Sequence, residues 1–102
     1  MCTAIKRRTL AGRNLDVTRT YGEEIVITPK KYSISMRREE NLKEHYAFVG
    51  MGTVERGFPL YFDAVNECGL YAAGLNYVKN ACYLPRKEEK LNLAPFELIP
   101  YV

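Results

Sequence analysis

Cys2 stands out for chemistry because of where it sits. Removal of the initiator Met before so small a residue would leave a thiol and a free α-amine on one residue. An α-amine has a pKa of about 7.7–8.0, so much of it is neutral at physiological pH and able to act as a base. A nucleophile activated by its own terminal amine is a recognised catalytic arrangement. Position alone is a weak signal, and without further context Cys2 reads as an ordinary terminal thiol. Cys68 falls in a turn and Cys82 in coil, and both read as incidental thiols. With His45 they contain no close ligand pair, so no zinc site is expected, and no metal or organic cofactor is indicated. His45 ends a charged stretch and reads as solvated. The Lys6-Arg7-Arg8 cluster reads as a solvated hairpin turn, since a nucleic-acid patch needs more clustering and surface aromatics.

The elements that must position Cys2 are short strands punctuated by turns. Residues 2–6 and 9–16 flank a compact basic connection and predict a hairpin. Glu24–Thr28 is rich in β-branched residues and stops at Pro29, which cannot donate to a ladder. Tyr32–Met36 alternates apolar residues with Ser, the pattern of a half-buried strand. Arg37–Glu44 has no clean period and reads as a loop or a short solvated turn. Tyr46–Gly52 is apolar and closes on Gly-Met-Gly. Leu60–Val65 and Leu70–Tyr77 flank Asn66-Glu67-Cys68-Gly69, which suits a tight turn and predicts a second hairpin. The small residues Ala72-Ala73-Gly74 predict a close neighbour for the second arm. Pro85–Lys90 reads as a solvated linker. Pro95 and Glu97 suit the start of a helix, whose Phe96, Leu98, Ile99 and Tyr101 have little following chain to pack on, as in a domain cut short.

The chain has 102 residues, 15 Lys+Arg against 12 Asp+Glu, and 47% hydrophobic residues. That length allows one core, so residues 1–102 are expected to form a single partial domain. The charge excess is mild and interleaved, so neither nucleic acid nor a membrane surface is an expected partner. No run approaches a membrane span, and charges arrive too early for a secretory signal. Three widely spaced cysteines make a poor disulfide framework, so a reduced, cytoplasmic protein is expected.

Several blocks resemble one family, in order along the chain. Met1-Cys2-Thr3-Ala4-Ile5, Gly12-Arg13-Asn14-Leu15-Asp16 and Tyr21–Pro29 are similar to the start of the choloylglycine hydrolases. That family comprises conjugated bile acid hydrolases and penicillin V acylases. Tyr46–Gly52, Pro59–Glu67 and Gly69–Tyr77 continue the resemblance over nearly the whole chain. It implies an N-terminal nucleophile hydrolase with a four-layer αββα sandwich. Its α+β class would be represented here by mostly antiparallel β and the start of a short C-terminal helix.

The resemblance also implies roles. Cys2 would attack an amide carbonyl, as the cysteine nucleophile of an amidase acting on linear amides. Arg13 would sit near the sulfur and favour its thiolate. Asp16 would hold the α-amine, and Asn76 would lend its backbone N–H to an oxyanion hole. Leu15 would line the substrate pocket together with a loop spanning residues 53–62 that carries Phe58 and Phe62. Bile salt hydrolases resemble this chain in having Asn at position 76, where penicillin V acylases usually have Tyr. The implied substrate is therefore a small molecule, a glycine- or taurine-conjugated bile acid, with a penicillin V-type acylase as the alternative. Read without the family, Arg13 and Asp16 would be a strand-end ion pair and Asn76 a strand terminator.

Two departures stand beside the resemblance. Only ten residues, Thr3–Gly12, separate Cys2 from Arg13, several fewer than family members have, so the first hairpin is shortened. The match also covers only the N-terminal third of the family's length. A second oxyanion asparagine, a second active-site arginine and most helices lie in the remainder. An inactive fragment that self-associates through open sheet edges, as a homo-oligomer, is the competing expectation.

Overall fold

The computed structural model describes residues 1–77 and 79–102. It has seven strands: β1 (Thr3–Arg7), β2 (Leu10–Asn14), β3 (Glu24–Thr28), β4 (Phe48–Glu55), β5 (Phe58–Tyr61), β6 (Asp63–Asn66) and β7 (Tyr71–Ala73). A 3₁₀ turn at Pro95–Glu97 leads into one helical turn, α1 (Leu98–Tyr101). The predicted class holds: the described chain is mostly antiparallel sheet with a short helix at its C-terminal end.

β1 and β2 form a two-stranded antiparallel sheet of their own, joined at Arg8-Thr9 with Arg8 in the left-handed region. The second sheet runs β3-β4-β6-β7, with β5 also paired to β4. β5 and β6 lie along the same side of β4 as one interrupted strand. Gly52 opposes Tyr61 and Val49 opposes Val65, so three steps on β4 face four on its partner. The extra residue is a β-bulge at Phe62-Asp63. The Phe62 N–H donates to the Met51 carbonyl, whereas the Met51 N–H donates to the Asp63 carboxylate at 3.0 Å in place of a ladder carbonyl.

Gly50 makes this packing feasible. A Cβ there would lie 1.9 Å from the Asp63 carbonyl oxygen, and one at Gly52 would lie 2.5 Å from that of Leu60. The Gly-Met-Gly run therefore lies inside β4, where backbones approach closely, and does not end the strand. Residues 53–62, expected as a loop, are instead the end of β4 and all of β5. Their turn, Arg56-Gly57, has φ of 52° and 81°, the two left-handed residues of a type I′ hairpin.

The core gathers Val26, Ile34, Met36, Phe48, Tyr61 and Ala64. Tyr61 is 1% exposed, and its hydroxyl is satisfied by donating to the Val26 carbonyl at 3.1 Å and accepting from Thr28 at 2.9 Å. Tyr32–Met36 does supply buried Ile34 and Met36, but it is not a strand. Its one ladder contact is a bridge between Ile34 and Leu42, because no neighbouring chain runs beside it for longer. His45 is not a freely solvated ring either: Nδ1 and Nε2 each lie 2.8 Å from a carbonyl oxygen, of Tyr46 and Tyr32. Ile99 of α1 packs on the core, while Phe96, Leu98 and Tyr101 remain exposed. Glu97 is buried and accepts from the N–H groups of Arg37 and Ala94, tying the C-terminal turn to the loop after Ile34. On the opposite face of the sheet Ile25, Ile27, Val49 and Val65 are exposed.

Candidate active site

The first hairpin places its residues by register. Thr3 opposes Asn14 and Ala4 opposes Arg13. Side chains alternate along each strand and opposed residues share a face, so Cys2, Ala4, Arg13 and Leu15 belong to one face. Cys2 and Arg13 are then diagonal neighbours, about 7–8 Å apart at the backbone and within reach of a long side chain. The short turn at Arg8-Thr9 sets this register, and with it the face that Cys2 and Arg13 share.

The side chains follow that frame. The Cys2 thiol donates to the Asp16 carbonyl oxygen at 3.8 Å. The Asp16 carboxylate pairs with the Met1 ammonium, the α-amine the chain carries while Met1 is attached. Asp16 is thus an amine partner and not the ion-pair partner of Arg13. Arg13 turns to the second sheet, where its side chain is 6% exposed, with Nε 3.9 Å from the Asp63 carboxylate. Its Nη1 donates to the Phe62 carbonyl at 2.7 Å. Nε and Nη2 are buried without a hydrogen-bond partner among the described residues, 3.9 Å being ion-pair range but too long for a hydrogen bond.

The bulge at Phe62-Asp63 is therefore the dock between the two sheets. The Phe62 carbonyl also accepts from the Gly74 N–H at 2.8 Å, which ties in the end of β7. Asn76 follows two residues later in exposed chain outside the strands. The half-buried Phe62 ring meets Tyr21 at 6.3 Å, and the Arg19 guanidinium lies 5.2 Å from the Tyr21 ring centre. Leu15 is half-buried at the hairpin's open end. Phe58 lies elsewhere: it packs against the core and lines a groove of about 360 Å³ with Met36, Arg37, Leu60, Pro95 and Phe96.

Sequence reasoning missed Asp63 and Tyr71. Burial, and then the charge of nearby Asp63, push the Tyr71 phenol up, with Arg13 pulling the other way. The available signal was a carboxylate inside the apolar run Tyr61-Phe62-Asp63-Ala64-Val65, where it must be paired if buried. Among the described residues no group of three or more His, Cys, Asp or Glu side chains gathers to hold a metal ion. No helix among them is long and apolar enough to cross a membrane.

A nucleophile, an amine partner and a buried cation with unpartnered donors are suited to acyl transfer: attack on a carbonyl while nearby donors meet the developing charge. Comparison with known proteins agrees. The chain is 45% identical over its whole length to a bile salt hydrolase/transferase of Lactiplantibacillus plantarum, 32% of which it spans. It is 42% identical, over 89% of its length, to a conjugated bile acid hydrolase of Lactobacillus gasseri, covering 29% of that protein. Crystal structures of two variants of the conjugated bile acid hydrolase of Clostridium perfringens, one Cys-to-Ala and one Arg-to-Leu, superpose with TM-scores of 0.82 and 0.80. Their sequence identities are 28% and 26%, and each match covers 99% of this chain and 32% of the solved one. The chain thus spans about a third of the length of the relatives it matches. The family model for linear amide C–N hydrolases of the choloylglycine hydrolase type matches residues 1–102, and the chain belongs to that family.

Proposed function

We propose that this chain is the nucleophile-bearing part of an amidase that cleaves conjugated bile acids. The observation that carries the reading is the shared hairpin face of Cys2 and Arg13, with the Asp16 carboxylate at its open end paired to the Met1 ammonium, one residue before the Cys2 amine. With Met1 removed, the Cys2 α-amine takes the proton from the thiol, and sulfur attacks the amide carbonyl. Collapse of the tetrahedral intermediate breaks the C–N bond, and the amine proton passes to leaving glycine or taurine. Water, deprotonated by the same α-amine, then attacks the thioester and releases the bile acid with Cys2 restored. Asp16 orients the amine throughout, and the backbone N–H of Asn76 is assigned to the oxyanion. Leu15 and Phe62 contribute apolar surface beside this face, and Phe58 acts at most through the core it packs on. Unpaired Cys2, Cys68 and Cys82 suit a reducing cytoplasmic setting.

The experiment is release of free glycine or taurine from conjugated bile acids by chain whose Met1 removal is verified by mass, with Cys2→Ala as control. The reading expects release that the variant abolishes. Full activity in Cys2→Ala would sink the mechanism.

A second reading is carried by exposed Ile25, Ile27, Val49 and Val65: this face meets another copy of the chain. It places no demand on Cys2.

A further inference from the structure

We propose that Asp63 is the positioning residue that aims Arg13 toward Cys2, acting from the bulge between β5 and β6. This deepens the reading of Cys2 as nucleophile and rests on it. A guanidinium on a flexible stem needs anchors to hold one orientation, and the bulge supplies two on adjacent residues. Nη1 bonds the Phe62 carbonyl at 2.7 Å, and Nε faces the Asp63 carboxylate at 3.9 Å. That leaves Nη2, buried and without a hydrogen-bond partner among the described residues, as the donor available to Cys2 or to the group Cys2 attacks.

Asp63 is itself fixed. One carboxylate oxygen accepts from the Met51 N–H at 3.0 Å. The carboxylate is 14% exposed, so its orientation is set by protein contacts more than by water. A regular ladder would use the Met51 N–H for a carbonyl; the bulge gives it to a side chain. Bulges commonly re-aim side chains beside active sites. Gly50 permits this one by lacking a Cβ under the Asp63 carbonyl.

Positioning and simple charge compensation predict opposite signs when Asp63 loses its charge. If Arg13 stayed in place, removing the neighbouring anion would strengthen its field at Cys2. If Asp63 aims it, Arg13 swings away and the field at Cys2 falls. The field can be read on the whole 102-residue chain, without turnover, from alkylation by anionic iodoacetate against neutral iodoacetamide. Peptide-resolved mass spectrometry separates Cys2 from exposed Cys82 as an internal reference.

In the wild-type chain the iodoacetate-to-iodoacetamide rate ratio at Cys2 should exceed that at Cys82 by on the order of fivefold, the pull of one unit charge over a few ångströms of solvated space. Arg13→Gln should remove the excess. Asp63→Asn, which keeps an oxygen for the Met51 N–H, should lower the ratio to that of Arg13→Gln, with Asp63→Glu giving a partial rescue. A ratio in Asp63→Asn at or above wild type, with Arg13→Gln still losing it, overturns the positioning role and leaves Cys2 as nucleophile standing. Equal ratios at Cys2 and Cys82 in the wild-type chain overturn both. Should Asp63→Asn fail to melt cooperatively, Asp63→Glu decides: a longer stem displaces the carboxylate, and a ratio equal to wild type overturns the proposal.

Discussion

At the scale of single residues the molecule is governed by where buried polar groups find partners. Arg13 is the costly case, since a buried cation must be paired and hydrogen-bonded to persist. Asp63 supplies the opposite charge and Phe62 one hydrogen bond, while Nε and Nη2 keep no hydrogen-bond partner among the described residues; these contacts join the first hairpin to the larger sheet. Two tyrosines carry a pH consequence. Burial pushes the Tyr61 phenol up, against a lowering hydrogen bond from Thr28; burial and then Asp63 push Tyr71 up. A neutral phenol with a raised pKa keeps its proton longer in the folded chain than in the unfolded one. Its contribution is fully present below the unfolded value of 10.0 and is lost as pH rises above it. Thermal melts should therefore show stability falling between about pH 9 and pH 11, less steeply in Tyr71→Phe. An identical pH slope in Tyr71→Phe would contradict the assignment. Asp63→Asn should also bring the Tyr71 phenolate absorbance in at lower pH.

Elements depend on close backbone approach more than on propensity. β4 serves three partners, β3 on one side and β5 and β6 on the other, and the bulge lets the last two share an edge. Gly50→Ala should destabilise by about 1–3 kcal/mol, because backbone and not a flexible side chain stands 1.9 Å from the new Cβ. For a chain of this size each kcal/mol lowers Tm by about 4–8 °C, readable in a thermal melt. A melt equal to wild type would mean that the bulge relaxes freely. Much of the element order was legible from sequence: the first hairpin, β3 stopping at Pro29, the Asn66–Gly69 turn and the C-terminal helical turn. Tyr32–Met36 misled because its alternation is real while its pairing is not. Ladder partners are tertiary facts that a period of two cannot supply. The Arg56-Gly57 turn went unread because Arg occupies a left-handed position usually given to Asn or Asp. The roles proposed for Cys2, Arg13 and Asp16 came from family resemblance. Asp63 was missed because it meets Arg13 only when the bulge meets the hairpin.

As a whole molecule the chain has a small core and two uncovered faces. Among the described residues six hydrophobic ones are buried, whereas Ile5, Leu10, Ile25 and Ile27 are each more than 65% exposed. Ile25 and Ile27 lie with Val49 and Val65 on one face of the larger sheet, and such contiguous apolar surface marks an interaction surface. Sedimentation should show mass rising with concentration, and Ile25→Lys with Ile27→Lys should return it toward monomer; a concentration-independent monomer would contradict this. The relatives that this chain matches are about three times as long, so nucleophilic attack is a sharper test of its site than full turnover. The most direct measurement is incubation of Met1-free chain with a glycine-conjugated bile acid, rapid acid quench and peptide mass mapping. The account predicts the steroid acyl mass on Cys2, lost in Arg13→Gln and absent while Met1 is retained. Acylation of Cys68 or Cys82 instead, or none in a cooperatively folded chain, would contradict it.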